Sequence, residues 1–514
     1  MHAKICSATT IGVRSYLVDV EVDLGMGIME FSIVGLADTA IKESRQRIRT
    51  AFKNSGLQLP QRKITVNLAP ASLKKEGTLF DLAIAVGILQ AAQQVSLTQA
   101  FLQETLFLGE MALDGAIRAV RGALPIACEM HNLGKRRLIL PDVNAYEAAL
   151  IEGVEVIGVS SLSQLLDYLQ GTVAIIPTQN KWTELMQKQI ETDLDFDQVK
   201  GQEQAKRAMQ IGAAGWHNLL FVGSPGSGKT MLAKRITTIM PQMSFDEVIE
   251  ASKVYSVSSK LEASALQTTR PFRSPHHTIS QAGLVGGGSN PQPGEISLAH
   301  KGVLFLDELT EFRKGTLEVL RQPLESRHVS ISRALQTVQY PADFLLIVAF
   351  NPCPCGYFGD KRKQCVCSDQ AIERYLGKLS GPLLDRIDVQ IPVYSIDYDV
   401  MANKSVSVQS SAELMQGVFV AIKAQLARFG IVKWNSQMRP DEIDRYCVLS
   451  SEAQQLIKRV FDALSLSMRG YHKILKVART IADLDGSDQI EVQHLKEAVM
   501  YRSLDQKMEQ MKGF

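Results

Sequence analysis

The chemistry in this sequence begins with eight consecutive residues. Gly223-Ser224-Pro225-Gly226-Ser227-Gly228-Lys229-Thr230 fits the pattern G-x-x-x-x-G-K-[ST]. An apolar run, Asn218–Val222, precedes it and a helical stretch, Thr230–Thr238, follows. Glycines in such a strand-to-helix turn let backbone N–H groups close around phosphate oxygens. Lys229 then reaches the β- and γ-phosphates, and the Thr230 hydroxyl ligates Mg²⁺. Further along, the apolar strand ending at Leu306 runs into two carboxylates, Asp307 and Glu308. Asp307 in that place holds Mg²⁺ through water, and Glu308 polarises an attacking water as general base. Together these residues read as a site that binds and hydrolyses a nucleoside triphosphate.

A second cluster is made of cysteines. Cys353-Pro-Cys355 and Cys365-Val-Cys367 enclose Gly356, Gly359 and the basic run Lys361-Arg362-Lys363. Four thiolates match tetrahedral Zn²⁺, with iron–sulfur ligation and free thiols as the alternatives. A structural zinc there would brace Asn351 before it and Arg386 after it. Cys6, Cys128 and Cys447 have no matching partners and read as buried thiols. His276-His277 invites a metal, but adjacent residues on a strand face opposite ways. Polar contacts at a subunit boundary or pore are the better expectation for this pair.

These residues need elements to position them. The chain has 514 residues, too many for one ordinary core. Hydrophobic residues at 45% and charged residues at 21% exclude disorder for most of it. Lys plus Arg total 56 against 54 Asp plus Glu, so no basic field advertises a polyanion. Any nucleic-acid contact must come from a few placed side chains. Residues 1–171 mix short alternating strands with helical stretches and read as an α+β module. Residues 172–199 are polar and irregular, as a linker would be. Residues 200–395 alternate strand and helix, which predicts an α/β domain with a parallel sheet. Residues 396–514 show helical periodicity throughout. The start of the chain lacks a secretory pattern, and no apolar run reaches membrane-spanning length. A reduced, cytoplasmic setting without membrane contact is expected.

The order of these parts resembles an AAA+ ATPase. On that resemblance Asn351 stands at the sensor 1 position, at the end of the strand Phe344–Phe350. Arg386, in Ser380-Gly-Pro-Leu-Leu-Asp-Arg386-Ile-Asp388, matches an arginine finger offered to a neighbouring subunit. Arg469, in Ser467-Met-Arg469-Gly-Tyr-His, matches the sensor 2 position opening a lid helix. The segment Arg270-Pro-Phe-Arg-Ser-Pro-His276-His277-Thr-Ile-Ser-Gln-Ala-Gly carries a closer likeness, as does Val477-Ala-Arg-Thr-Ile-Ala-Asp-Leu484. Both resemble the magnesium-chelatase-like ATPase family, related to the helix-2-insert ATPases, and the likeness runs over essentially the whole chain. It implies ATP and Mg²⁺ as cofactors and a homo-hexamer. It also implies a DNA helicase or translocase that drives branch migration of recombination intermediates in natural transformation.

Two insertions would meet DNA in such a ring. One is the Gly- and Pro-rich loop Gly286–Gly294. The other is a β-hairpin over Arg327–Tyr340, with Arg333 at its tip and Arg327 and His328 at its start. Contacts to single-stranded, forked or branched DNA through the backbone would carry little sequence preference. Residues 1–171 resemble the Lon protease domain, an S5 domain 2-like fold, on Leu108–Leu124 and Lys135–Pro141. The nucleophile position falls on Leu79 and the lysine position on Ile126, so no peptidase activity is expected. The competing reading is an ATP-driven remodeller of a protein or of a magnesium-chelatase-like complex.

Overall fold

The computed structural model of the chain describes residues 1–187, 193–258, 266–288, 291–332, 337–360, 362–395, 408–463 and 466–502. At its centre lies a five-stranded parallel sheet. In spatial order its strands are Phe272–Arg273, Val303–Leu306, Leu345–Phe350, Leu219–Val222 and Val389–Pro392. Leu219 stands opposite Ile347 on one side and Val389 on the other. The inner strands are continuous apolar runs because both their faces are covered. Since every strand points the same way, the sheet has one edge of carboxyl ends and one of amino ends. Gly223, Asp307 and Asn351 each follow a strand, so all three emerge at the carboxyl edge.

The amino-terminal part is built on the hairpin His2–Ile11 and Arg14–Gly25, which continues into a sheet with Lys63–Ala69 and Phe31–Val34. Helices Thr39–Asn54 and Asp81–Ala91 belong to the same apolar core. A second, parallel sheet joins Thr105–Phe107, Arg137–Pro141 and Glu155–Val159. This part rests on the central domain. The Gly122 N–H donates to the Ser256 carbonyl at 2.8 Å, and Leu124 and Leu150 pack with Ile249. At the tip of the first hairpin, a Cβ on Gly12 would lie 2.6 Å from Val338.

Residues 172–199 hold more structure than their polarity suggests. They carry the helix Trp182–Gln187, and Trp182 meets Phe245 edge-on with ring centroids 4.9 Å apart. The loop Gly286–Gly294 also differs from a plain loop, because Gly286–Gly287 pairs with Gln292–Pro293 as a short antiparallel ladder. His276 and His277 follow a strand that ends at Arg273, so the alternation expected of them does not apply. Pro275 stands between that strand and the pair, and the two rings tilt together at 4.0 Å. Cys447 is buried as expected, whereas Cys6 and Cys128 are half-buried.

The carboxy-terminal helices Ser411–Phe429, Pro440–Tyr446, Ser451–Ala463, Met468–Leu484 and Val492–Met500 form a lid that joins the core of the central domain. Ser410 and Glu413 close a capping box at the start of the first. Trp216 of the central domain stacks on Trp434 of the lid at 5.1 Å. Beside that contact lies a buried ionic knot. Asp483, 1 % exposed, accepts from Arg428 at 2.8 Å, Asn435 at 2.7 Å and the equally buried Arg479 at 3.0 Å. Removing the carboxylate strands two arginines in a low-dielectric interior. Asp483→Ala should therefore cost about 3–5 kcal/mol, read as an earlier urea midpoint of the tryptophan signal. A loss below about 1 kcal/mol would mean that the two arginines find other partners.

Candidate nucleotide site

At the carboxyl edge, the turn after Leu219–Val222 wraps the start of the helix Lys229–Arg235. Gly226 and Gly228 take positive φ of 75° and 93°, which lets the turn curl without a Cβ clash. Lys229 is buried. Its ammonium donates to the Gly223 carbonyl at 2.7 Å, the Ser224 carbonyl at 2.9 Å and the Asn351 side-chain oxygen at 3.1 Å. Burial lowers its pKa, and the nearby Asp307 and Glu308 carboxylates oppose that. The Thr230 hydroxyl donates to Asp307 at 2.5 Å. A hydroxyl and a carboxylate side by side are the oxygen donors that Mg²⁺ takes beside phosphates. The structure thus brings together Gly223 through Thr230, Asp307 and Asn351.

Glu308 has a left-handed backbone, φ 50°, and its N–H donates to Asp307 at 3.0 Å. Non-glycine residues held there are strained, and such strain gathers at functional sites. Its carboxylate lies 3.4 Å from His277 Nδ1. His277 in turn meets Phe312 edge-on. Sequence reasoning named the histidine pair without this role, because only the bend after Arg273 turns His277 toward Glu308.

Arg386 and Arg469 are elsewhere. Arg386 precedes the strand Val389–Pro392, so it emerges at the amino edge, opposite the phosphate turn. Four residues of strand separate the two edges, about 13 Å of rise. Arg469 lies in the first turn of the helix Met468–Leu484 and reaches the same place. Both guanidiniums bind one carboxylate, Glu325, with Arg469 at 2.7 Å and Arg386 in closer contact. Arg469 foremost, then Arg386, hold the Glu325 carboxyl below its ordinary pKa. They line a cavity of ≈ 430 Å³ together with Lys473 and Lys476. Glu325 had no signal in the sequence. It is one carboxylate on a short helix, Arg321–Ser326, and only the fold puts two arginines on it.

The hairpin arms are His328–Ser332 and Thr337–Pro341, paired antiparallel. Arg333, expected at the tip, lies outside the described residues. Arg327 and His328 stand at the base, where the hairpin starts. Arg327 faces Asp343 at 3.7 Å and lines the arginine cavity, and His328 Nδ1 meets the Ser326 carbonyl at 2.9 Å.

The four cysteines converge. Their sulfurs all lie within 4.8 Å of one another, with Cys353 and Cys355 at 3.3 Å and each of them 3.6 Å from Cys365. Tetrahedral zinc with bonds of about 2.3 Å puts sulfurs about 3.8 Å apart, whereas a disulfide needs about 2.05 Å. Backbone N–H groups of Tyr357 and Val366 lower the Cys355 thiol, while burial raises Cys353. The donor set fits a thiophilic cation.

A P-loop facing an acidic strand end, beside a parallel sheet and a helical lid, defines a nucleotide-hydrolase class, and comparison with known proteins narrows it. Family models match residues 195–401 (magnesium chelatase, subunit ChlI), 20–144 (subunit ChlI of Mg-chelatase) and 408–502 (magnesium chelatase, subunit ChlI C-terminal). Competence protein ComM of Haemophilus influenzae is 42% identical over 503 residues, covering 98% of this chain and 97% of its own. YifB of Escherichia coli is 42% identical over 495 residues, 96% of each chain. The magnesium-chelatase 38 kDa subunit of Rhodobacter capsulatus is 22% identical over 59% of this chain and 84% of its own. The chain belongs to the magnesium-chelatase-like family of the ComM and YifB type, and this AAA+ family implies ATPase activity.

Glu325→Gln frees both arginines to wander, which should lower ATP turnover about 10–100-fold and leave ATP affinity within about twofold. Turnover equal to wild type in a steady-state ATPase assay would remove Glu325 as a positioning residue.

Proposed function

We propose that this chain is an ATP-driven DNA motor that works as a homo-hexameric ring and promotes branch migration of recombination intermediates in natural transformation. The observation that carries the reading is the split of the site across the sheet. Arg386 and Arg469 lie at the edge away from the chain's own phosphate turn, held on Glu325, where a neighbour's turn would have to meet them. Heterologous contacts of that kind close into rings when the rotation allows. In this reading Gly223–Thr230 and Asp307 hold ATP and Mg²⁺, Glu308 is the general base and Asn351 senses the γ-phosphate. Arg386 and Arg469 complete the site in trans.

The hairpin read over Arg327–Tyr340, with Arg333 expected at its tip, would line the pore and touch the DNA backbone. Six copies of one arginine suffice to make a charged channel in a near-neutral particle. The ComM relative, named a competence protein, supports the DNA role. Among the described residues no helix is long and apolar enough to cross a membrane.

Residues 1–171 act in this reading as an inactive Lon-like module joined through 172–199 to the AAA+ core of residues 200–395, with residues 396–514 as the helical lid. Ile126 is fully buried, and Leu79 lines a cavity of ≈ 360 Å³ with Lys74, Thr78 and Glu110. The neighbouring Lys75 is buried too and donates to the Gly35 and Pro70 carbonyls, with burial lowering its pKa. The residues that line that cavity include no serine, which supports reading the module as lacking the serine–lysine pair of Lon-type hydrolysis.

The test is ATP turnover with single-stranded, double-stranded and forked DNA. Stimulation is expected, strongest with forked or branched DNA and insensitive to base sequence. No stimulation and no mobility shift by any of the three would contradict the motor and favour a remodeller of protein complexes.

A further inference from the structure

The four-cysteine loop is packed against the phosphate turn, and this contact carries a consequence for nucleotide binding. Gly356, one residue after Cys355, has φ 84° and lies directly on Pro225. A Cβ there would stand 2.4 Å from Pro225 Cδ and 2.7 Å from Cγ. Pro225 is the third residue of the Gly223–Thr230 turn. A second tie runs from the far side of the same loop. The Asp360 carboxylate accepts from the backbone N–H groups of Arg362 at 2.7 Å and Lys363 at 3.3 Å and so fixes the turn that carries Arg362. Ser224 and the Arg362 guanidinium both meet Ser395, at 3.1 and 3.4 Å. A third tie is covalent, since Cys353 follows Asn351 by two residues and Asn351 accepts from Lys229.

Besides these ties, the loop from Cys353 to Cys367 is held by the turns Cys353–Gly356 and Tyr357–Asp360 and by Cys353 and Phe358, which pack in the neighbouring apolar core. Gly356 and Gly359 both take positive φ, and among the described residues the loop has no helix or strand. Four sulfurs in mutual contact, none in a disulfide, make a poor core by themselves. A tetrahedral cation converts them into a rigid knuckle.

We propose that Cys353, Cys355, Cys365 and Cys367 bind one Zn²⁺, and that the metal sets nucleotide affinity by clamping Gly356 onto Pro225 and, through Ser395, Arg362 beside Ser224. The proposal rests on the reading of Gly223–Thr230 as the phosphate turn. Without the metal the knuckle relaxes, and the turn loses the wall that holds its N–H groups convergent. Zinc here would be a positioning element for ATP binding that acts through Gly356 and Pro225.

The experiment measures zinc content and the Kd of a fluorescent ADP analogue on the full chain, with Mg²⁺ in excess. Three samples are compared: the purified protein, the protein after a chelator that takes Zn²⁺ but not Mg²⁺, and Gly356→Ala. The expected result is one zinc per chain as purified. Affinity should fall at least about tenfold on zinc removal and return when Zn²⁺ alone is added back. Gly356→Ala keeps all four ligands, so it should keep its zinc and still bind nucleotide about tenfold more weakly, because the added methyl pushes Pro225 away. Zinc far below one per chain with full nucleotide affinity would overturn the proposal. So would wild-type affinity in either the stripped protein or a zinc-loaded Gly356→Ala. A zinc-loaded wild-type chain that binds no nucleotide would instead sink the reading of the phosphate turn, and the stoichiometric metal would tell the two failures apart.

Discussion

One asparagine ties the amino ends of three parallel strands together, and the rest of the architecture hangs from that seam. Asn218 gives its N–H to Asp388 and its amide N–H to the Arg386 carbonyl, and accepts from the Leu346 N–H, each at 3.0 Å. These bonds fix the register of Leu219–Val222, Leu345–Phe350 and Val389–Pro392 before any side chain of the site is considered. Strand polarity then decides where function can sit. Phosphate turn, acidic pair and Asn351 must leave at one edge. Arg386, two residues before Asp388, must stay at the other. The division of the candidate site is a property of the sheet and not of any loop.

The same seam holds the lid. Lys473 lies 3.3 Å from Asp388 and donates to the Ile387 carbonyl at 3.1 Å, and Arg502 donates to that carbonyl at 2.8 Å. Burial alone would raise the Asp388 carboxyl. Lys473 and then His217 more than offset it and keep it ionised. Arg469, which opens the helix carrying Lys473, is therefore anchored to the strand that follows Arg386. In the proposed ring the two arginines and Glu325 would move as one piece. A change at the neighbour's phosphate turn would reach the lid through a seam only a few residues long.

Much of this was legible in the sequence, and the reasons are physical. The phosphate turn is readable because its chemistry needs glycines and a lysine at fixed spacing. The inner strands are readable because burial on both faces demands unbroken apolar runs, and Val303–Leu306 and Leu345–Phe350 supply them. What stayed hidden depends on where a side chain ends up in space. Glu325 draws two arginines that lie 61 and 144 residues away. His277 points at Glu308 because its strand stops at Arg273 and the bend sets the rings, which no alternation rule contains. Arg327 was readable as the start of the hairpin, but not its contact with Asp343, which follows because it closes the helix Arg321–Ser326 with a left-handed backbone. The cysteine spacing was readable as a metal motif. Its contact with Pro225 was not, since it joins segments 131 residues apart in sequence (Pro225 to Gly356).

In the proposed ring the ATP site is shared between two copies of the chain. Mixing two disabled variants tests it most directly. Lys229→Ala lacks the phosphate lysine but keeps its arginines, and Arg386→Ala has the reverse. Each alone should be nearly inactive. If the arginines act across a subunit boundary, an equimolar co-assembled mixture contains intact sites at about a quarter of its interfaces, and ATP turnover should rise toward that fraction of wild type. A mixture no more active than the sum of its separate parts would contradict the account and put the arginines to work within their own chain.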